Sequence, residues 1–171
     1  MTLHKAFIAL GSNIGNRLEN LQDAVDRLSL NEHTSVLEVS AVYMTEPVGE
    51  TGQERFFNGV VLIETSLPPE ELRLYCKTIE RELGRPGAYR RWSPRVIDLD
   101  IILYDDWCIR SEMLSIPHHE MHNRKFVLVP LLDIANPLHP FLGQTAVQLL
   151  DNCSDRSVLI KLKKKLTIKR I

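Results

Sequence analysis

Residues 56–83, FFNGVVLIETSLPPEELRLYCKTIEREL, contain the change of hydrophobic period that decides the fold. The first ten residues are rich in β-branched and aromatic side chains, which favours a strand over residues 56–65. Two prolines follow, at positions that suit only the first turn of a helix. Apolar residues then recur every three or four positions, which predicts an amphipathic helix that Gly84 closes in a left-handed cap.

The same two periods occur on both sides of this stretch. Residues 6–10 form a short apolar run before a Gly-Ser-Asn turn, and residues 18–28 have helical spacing with Asn16 as the expected cap. Residues 36–45 alternate with period two, and residues 96–104 form a further apolar run, so both are predicted strands. The alternation places one set of side chains on a common face of the first of these strands: Leu37, Val39, Ala41 and Tyr43.

The predicted order of elements is β-α-β-β-α-β. This order is typical of the ferredoxin-like α+β arrangement, an antiparallel sheet with helices on one face. A short segment at residues 126–135 and a helix at residues 145–150 are expected additions to that core. The chain length favours one domain, which we place at residues 1–160, and residues 161–171 are expected to form a solvated or frayed basic tail.

The composition excludes several classes of protein. An apolar fraction of 44% and a charged fraction of 25% are typical of an ordinary soluble domain. Three cysteines without a Cys-x-x-Cys pair do not suit a disulfide framework or a thiolate metal site. The apolar run near the N-terminus is too short for a signal peptide or a membrane span. We therefore expect a cytoplasmic protein without a membrane partner.

The net charge of −1 hides an asymmetry between the tail and the body of the chain. The last eleven residues carry six basic groups and no acid, which leaves 15 basic against 22 acidic residues elsewhere. A body of that sign does not attract nucleic acid. A nucleic-acid-binding module is still the main alternative, because RNA-recognition domains share the predicted element order. Their aromatic strand pattern is missing, however, and only the basic tail supports this alternative.

Asp98 and Asp100 are the most informative residues of the chain. Because residues i and i+2 of a strand point the same way, both carboxylates project from one face. Ile97, Leu99 and Ile101 project from the other face, into the expected core. Two adjacent negative charges need water or a cation, and carboxylate oxygens suit Mg²⁺, which keeps waters and recruits substrate phosphates. A solvated strand edge is the alternative for an isolated Asp-x-Asp pair.

An arginine-rich loop lies directly before this strand. Residues 84–95, GRPGAYRRWSPR, carry four arginines, and a guanidinium offers a planar fork of donors that matches phosphate oxygens. Its two glycines suit the hinges of a lid over a bound triphosphate. A solvated basic loop is the alternative, but cations beside paired acids are what a Mg²⁺-nucleotide site needs. The glycine patterns of P-loop and Rossmann sites are absent from the sequence.

Two further groups of side chains suit a binding cleft. Phe56 and Asn58 share a strand face, where an aromatic plane beside an amide suits a flat heterocycle with polar edges. A place in the core is the competing interpretation for Phe56, since Val60 shares that face. Residues 118–122, HHEMH, lack the spacing of a zinc site. We interpret Pro117 and His118, followed by residues 123–126, as a second loop that faces the same cleft.

These stretches resemble one family along nearly the whole chain, the 6-hydroxymethyl-7,8-dihydropterin pyrophosphokinases. The most specific run is RWSPRVIDLDI at residues 91–101. The other matching stretches are 9–13 (ALGSN), 45–49 (TEPVG), 57–58 (FN), 64–67 (ETSL), 84–85 (GR), 116–118 (IPH) and 123–128 (NRKFVL). The resemblance implies transfer of pyrophosphate from ATP to 6-hydroxymethyl-7,8-dihydropterin in folate biosynthesis, with release of AMP. A relative that only binds pterin is the second alternative.

The resemblance also implies a role for individual residues. Asp98 and Asp100 correspond to ligands of two Mg²⁺ ions and form the expected catalytic group with Arg85 and Arg95. The expected ATP contacts are Glu80, Arg91, Trp92, Ile101, Ser115, His118, His119 and Arg124. The expected pterin contacts are Thr45, Glu46, Val48, Phe56, Asn58 and Phe126, where Phe56 replaces a common tyrosine.

Two positions depart from the family pattern. Gly87 stands where relatives often have a second loop arginine, so we expect Arg90 or Arg91 to take over that role. Met113 stands where some members have another arginine near the phosphates. Asp98 is the carboxylate best placed to help remove the proton of the attacking hydroxyl group.

We expect a monomer that acts on the small molecules ATP and 6-hydroxymethyl-7,8-dihydropterin.

Overall fold

The computed structural model describes residues 1–45, 52–84 and 94–169. Its secondary structure is a mixture of strands and helices. In chain order these are β1 His4–Ser12, α1 Arg17–Leu28, β2 Thr34–Val39, β3 Ala41–Thr45, β4 Phe56–Thr65, α2 Pro69–Glu82, β5 Asp98–Tyr104, β6 Ile109–Arg110, β7 Ser115–Ile116, a 3₁₀ turn Met121–Asn123, α3 Lys125–Ile134, β8 Leu138–His139, β9 Gln144–Thr145, α4 Ala146–Asp151 and β10 Ile160–Lys165.

Six of these strands form one antiparallel sheet. Its order is β10-β3-β4-β1-β5, and β2 pairs with β4 beyond the end of β3. The two short pairs β6-β7 and β8-β9 lie outside this sheet. β5, the strand that carries Asp98 and Asp100, pairs with β1 and lies at one edge of the sheet.

The predicted strand at residues 36–45 is divided in two at Ser40. The Ser40 hydroxyl accepts a hydrogen bond from the Val60 N–H at 2.8 Å, so a side chain replaces part of the backbone ladder. The register also shifts between Val36 and Glu38. A bulge of this kind reverses which side chains face the core. The predicted common face is therefore wrong: Leu37 is 39% exposed, whereas Val42 is fully buried.

The helices α1 and α2 cover one face of the sheet. Asn16 caps α1 as predicted, because its side chain accepts a hydrogen bond from the Glu19 N–H at 3.2 Å. Gly84 follows α2 with φ 102°, a conformation that favours glycine, as the predicted left-handed cap requires. The core on this face unites helix and strand residues, among them Leu21, Val25, Leu72, Cys76, Ile79, Ile8, Leu10 and Leu99.

The opposite face of the sheet is covered by α3 and α4. The second core cluster joins residues of these helices to β4 and β5, among them Val127, Leu128, Leu131, Leu149, Val60 and Ile102. The predicted placement of helices on one face therefore holds for α1 and α2 but not for the whole chain. The C-terminal third completes the core, and it forms the wall that faces the acidic pair.

The basic segment at residues 161–169 is part of the fold. β10 pairs with β3, and Leu166 is buried in the core beside α1. Gln22 of α1 then exchanges hydrogen bonds with Thr167 in both directions, at 2.9 Å each. The interpretation of this segment as a solvated or frayed tail is therefore wrong, and the domain boundary at residue 160 stays a prediction. Within the three described ranges, no helix has the length and apolar character to cross a membrane.

Candidate active site

β5 presents Asp98 and Asp100 on one face of the sheet, as the alternation predicts. Leu99 and Ile101 are buried in the core beneath α1 and α2. Asp100 pairs with Ala9 of β1, and Ala9 packs against the core on the α3 side. Both carboxylates therefore lie on the α3 side of the sheet. The predicted contact of Ile101 with ATP cannot involve its side chain, which lies on the far face, so only a backbone contact stays a prediction.

The two carboxylates are half-buried and repel each other. Burial, followed by the negative charge of Asp98, holds the pKa of Asp100 well above its ordinary value, and Lys77 partly offsets this effect. Such a pair fits a divalent cation, whose positive charge would remove the repulsion. Among the residues that the structure describes, no group of three or more Asp, Glu, His or Cys side chains suits a metal. Mg²⁺ held by two carboxylates usually keeps waters and takes further ligands from substrate phosphates.

Arg95 is fixed beside the acidic pair at both ends. Its Nη1 lies 3.0 Å from Oδ2 of Asp98. Its backbone N–H donates to Oδ1 of Asn13 at 2.6 Å, and the Asn13 N–H donates to the Arg95 carbonyl at 2.9 Å. A charged guanidinium with a fixed backbone is prepared to meet phosphate oxygens without reorganisation.

Asn13 is a site residue to which the sequence analysis assigned no role. Its side chain is almost fully buried, at 1% exposure, and Nδ2 donates to the Gln53 side chain at 2.9 Å. It therefore joins the segment before β4 to the segment before β5. The matching stretch at residues 9–13 was the available signal, because an asparagine directly after a buried strand often holds loops in place.

Glu80 lies beneath the acidic strand. Its carboxylate, 3% exposed, accepts hydrogen bonds from the Leu99 N–H at 2.8 Å and from Lys77 Nζ at 3.1 Å. Leu99 stands between the two aspartates, so Glu80 fixes the backbone that orients them. This contact gives Glu80 a structural role, and its predicted contact with ATP stays a prediction.

The loop at residues 117–119 is attached to the same strand. The His118 N–H donates to the Ile102 carbonyl at 3.0 Å, and its ring stacks on His119 with centroids 4.6 Å apart. His118 Nδ1 accepts the Glu120 N–H at 3.1 Å. Burial, with the positive charge of Arg124, lowers the pKa of His118 to about 4, so the ring is neutral at physiological pH. Its Nε2 therefore carries the proton and can donate to an anion.

Ser115 is engaged in the hairpin next to this loop. Its hydroxyl donates to the Pro117 carbonyl at 3.1 Å and accepts a hydrogen bond from Arg110. Met113 is exposed. Through its bond to Ser115, Arg110 brings a guanidinium to the predicted nucleotide side of the cleft. The sequence analysis did not single out this residue.

The predicted pterin contacts meet where β3 and β4 pair. The Asn58 Nδ2 donates to Oγ1 of Thr45 at 2.8 Å, and both side chains are buried. Phe56 is half-buried on the same face of β4. Phe126, at the start of α3, is half-buried against the core on that face. Thr45, Asn58, Phe56 and Phe126 thus line the face that carries the acidic pair.

Several predicted residues lie outside the described ranges. They are Arg85, Arg90, Arg91 and Trp92 of the arginine-rich loop, together with Glu46 and Val48 of the segment after β3. His119 is exposed beside His118, and Arg124 lies with its guanidinium 5.7 Å from the centre of the Phe126 ring. The described part of the site therefore unites the carboxylates, Arg95, His118 and the predicted pterin contacts.

Comparison with known proteins shows the family to which the chain belongs. Residues 7–136 match the family described as 7,8-dihydro-6-hydroxymethylpterin-pyrophosphokinase (HPPK). The 2-amino-4-hydroxy-6-hydroxymethyldihydropteridine pyrophosphokinase of Haemophilus influenzae is 40% identical over 154 residues, which cover 90% of this chain and 96% of that protein. The chain belongs to the HPPK family.

Other relatives are much longer than this chain. The folic acid synthesis protein fol1 of Schizosaccharomyces pombe is 42% identical over 154 residues, but the match spans only 21% of its length. The structure of wild-type Plasmodium falciparum HPPK-DHPS with SDX-DHP aligns with a TM-score of 0.71 at 17% identity, over 88% of this chain and 44% of that one. At that identity the likeness shows a shared fold and nothing more.

Proposed function

We propose that this chain transfers pyrophosphate from ATP to 6-hydroxymethyl-7,8-dihydropterin, with Mg²⁺ as its cofactor, and releases AMP in a step of folate synthesis. One observation carries the proposal: the acidic pair of β5 and the amide of Asn58 project from the same face of one sheet, two strands apart. The family membership and the activity in the name of the Haemophilus influenzae relative support it.

The reaction has a simple balance of bonds. The hydroxymethyl oxygen of the pterin attacks the β-phosphorus of ATP in line, and the bond between that phosphorus and the oxygen of the α-phosphate breaks. AMP leaves, and the hydroxyl proton is lost. Such a transfer depends on positioning and on charge neutralisation more than on covalent catalysis. Asp98 is the proposed acceptor of the proton.

Asp98 and Asp100 would hold Mg²⁺. The ion supplies charge neutralisation at phosphate oxygens when it is bound. The two carboxylates have a fixed spacing, because the Leu99 N–H between them donates a hydrogen bond to Glu80. This spacing favours a constant position for the ion. The number of ions, two in our expectation, stays a prediction.

The basic and neutral donors of the site have separate tasks. Arg95, fixed by Asn13, would neutralise negative charge on the transferred group. Neutral His118 would donate its Nε2 proton to a phosphate oxygen. The acceptor ring would lie between Phe56 and Phe126 with its polar edge on Asn58, as aromatic planes beside an amide favour.

We also assign the sheet to the ferredoxin-like arrangement. The order β5-β1-β4, with β2 and β3 both paired to the far edge of β4 and with α1 and α2 on one face, supports this assignment. In this assignment α3, α4 and β10 are additions to the basic fold. The cytoplasmic location, the monomeric state and the absence of nucleic-acid and membrane partners stay predictions.

A direct assay tests the proposed transfer. Purified protein is mixed with ATP, MgCl₂ and 6-hydroxymethyl-7,8-dihydropterin, and the nucleotide products are separated. We expect AMP in equal amount to the pterin pyrophosphate, and no AMP when the pterin is omitted. Formation of ADP would indicate transfer of a single phosphoryl group and would contradict the proposal, as would absence of any pterin-dependent product.

A further inference from the structure

Gly11 lies between the two chemical groups on which the proposed function depends. In the register of the sheet it pairs with Asn58 of β4 on one side and with Asp98 of β5 on the other. Cross-strand partners project to the same face. Because neighbouring strands lie about 4.8 Å apart, the amide and the carboxylate flank a gap of roughly 10 Å that contains no side chain.

The space above Gly11 is closely bounded. A Cβ atom built on this residue would lie 3.2 Å from Oδ1 of Asn58 and 3.8 Å from Cδ1 of Phe56. Since Nδ2 of Asn58 already donates to Thr45, Oδ1 is the acceptor that faces this space. A separation of 3.2 Å lies within the range of an N–H···O hydrogen bond. A methyl group at position 11 would therefore occupy the place from which a ligand N–H reaches Oδ1.

The backbone does not require glycine at this position. The described glycines with positive φ are Gly15, Gly52, Gly84 and Gly143, and Gly11 is not among them. It lies within regular strand β1, where any residue can adopt the conformation. What distinguishes Gly11 is therefore the open space above its backbone, and not a turn conformation.

We propose that Gly11 is a specificity-determining residue of the acceptor site. Its bare backbone lets a flat heterocycle lie directly on β1, with an N–H edge at Asn58 Oδ1 and its hydroxymethyl arm directed at Asp98. This inference rests on the proposed function, and it adds to it the path of the substrate across the sheet. A ring of the same outline without an N–H donor at that edge would leave Oδ1 unpaired and bind less well.

Gly11→Ala tests this role, and Gly59→Ala is its matched control. Gly59 neighbours Asn58 on β4 but faces the opposite side, where a Cβ would lie 3.3 Å from Oγ of Ser40. Both variants thus crowd the same sheet to a similar degree, and only one of them faces the site. We expect Gly11→Ala to raise the KM for the pterin by about tenfold or more, because a methyl group blocks a hydrogen bond to the substrate. The KM for ATP should stay unchanged in both variants.

A double-mutant cycle with Asn58→Ala distinguishes a methyl group that blocks Oδ1 of Asn58 from one that disturbs the structure of the site in general. If the methyl group acts by covering Oδ1, Gly11→Ala should add little to the loss already caused by Asn58→Ala. Fully additive losses would overturn the inference, as would an unchanged KM for the pterin or equal increases of both KM values. A Gly11→Ala protein whose Tm falls far below that of Gly59→Ala would likewise overturn it, since the glycine would then be structural. Absence of AMP from the wild-type protein is a different result, because it refutes the transfer itself and this inference with it.

Discussion

Asn13 and Arg95 exchange two hydrogen bonds across 82 residues of sequence, the Asn13 N–H to the Arg95 carbonyl and the Arg95 N–H to Asn13 Oδ1. Because Arg95 also contacts Asp98, the loop after β1 and the start of β5 form one unit around the acidic pair. The same asparagine holds the Gln53 side chain, in the segment that leads into β4. A substitution at Asn13 is therefore expected to lower kcat through Arg95, without a direct contact between Asn13 and a substrate.

Replacement of Asn13 by alanine tests this connection. The variant loses a buried side chain that makes several hydrogen bonds, so we expect the free energy of unfolding to fall by about 1–3 kcal/mol. We also expect kcat to fall by roughly tenfold or more, because misplacement of Arg95 weakens charge neutralisation. Chemical denaturation and initial rates measure the two effects.

Asn20→Ala is the control for this prediction. Asn20 also anchors the loop after β1, through bonds to Ser12 and Ile14, but it does not contact Arg95. Its replacement should reduce stability while leaving kcat near the wild-type value. Equal losses of kcat in the two variants would show that any loosening of this loop impairs the enzyme.

Arg95→Ala should remove a charge partner that the transition state requires. We expect kcat/KM to fall by an amount that corresponds to roughly 2–5 kcal/mol. Arg95→Lys keeps the charge but loses the planar fork, so its rate should lie between those of alanine and wild type. Steady-state kinetics with both substrates measure these losses. Arg73→Ala, which removes a surface pair with Glu70 on α2, is the control and should not alter kcat/KM. An unchanged kcat/KM in Arg95→Ala would exclude this residue from the site.

The parts of the fold that were predicted from sequence are those with a strong local period. β4 and α2 were found because strand and helix periods follow each other without interruption. The division at Ser40 was missed, since a hydroxyl that replaces a ladder bond leaves no periodic signal. β10 was missed because its register shifts between Lys161 and Lys165, and this irregularity destroys the alternation of its apolar residues.

The candidate site divides in the same way. The common face of Asp98 and Asp100 follows from strand geometry alone, so the sequence was sufficient. The bonds from Asn13 to Arg95 and from Glu80 to Leu99 depend on tertiary packing between distant segments. Asparagine and glutamate side chains can form hydrogen bonds with many groups, and only the tertiary structure determines which partner each one has. The spatial place of Gly11 is likewise a property of sheet register.

Asp100→Asn should have opposite effects on stability and on activity. In the absence of Mg²⁺ the half-buried carboxylate is repelled by Asp98, so its neutral replacement should raise the Tm at pH 8. Mg²⁺ should raise the Tm of the wild-type protein, since an ion that binds only the folded state stabilises it. The variant should not respond to Mg²⁺ and should be nearly inactive.

Thermal melts with and without MgCl₂ measure these effects independently of turnover. Asp106→Asn, at an exposed carboxylate in the turn after β5, is the control and should behave as wild type. Normal turnover by Asp100→Asn, or a Tm that rises with Mg²⁺ as in the wild type, would contradict the role of this residue as a metal ligand.

His118 should make the stability of the protein depend on pH in a defined window. Its pKa is lowered from 6.5 to about 4 in the folded protein, because burial and the charge of Arg124 oppose protonation. Between these two values the unfolded chain binds a proton that the folded chain does not, so stability rises with pH and is lost as the pH falls from 6.5 to 4. We expect the loss from this residue to approach 2–3 kcal/mol, about what a shift of this size allows for a partly buried group. Denaturant unfolding at a series of pH values, with His118→Gln beside His119→Gln, measures it: only the first replacement should flatten the curve, and a curve that both leave unchanged would show that the acid sensitivity arises elsewhere.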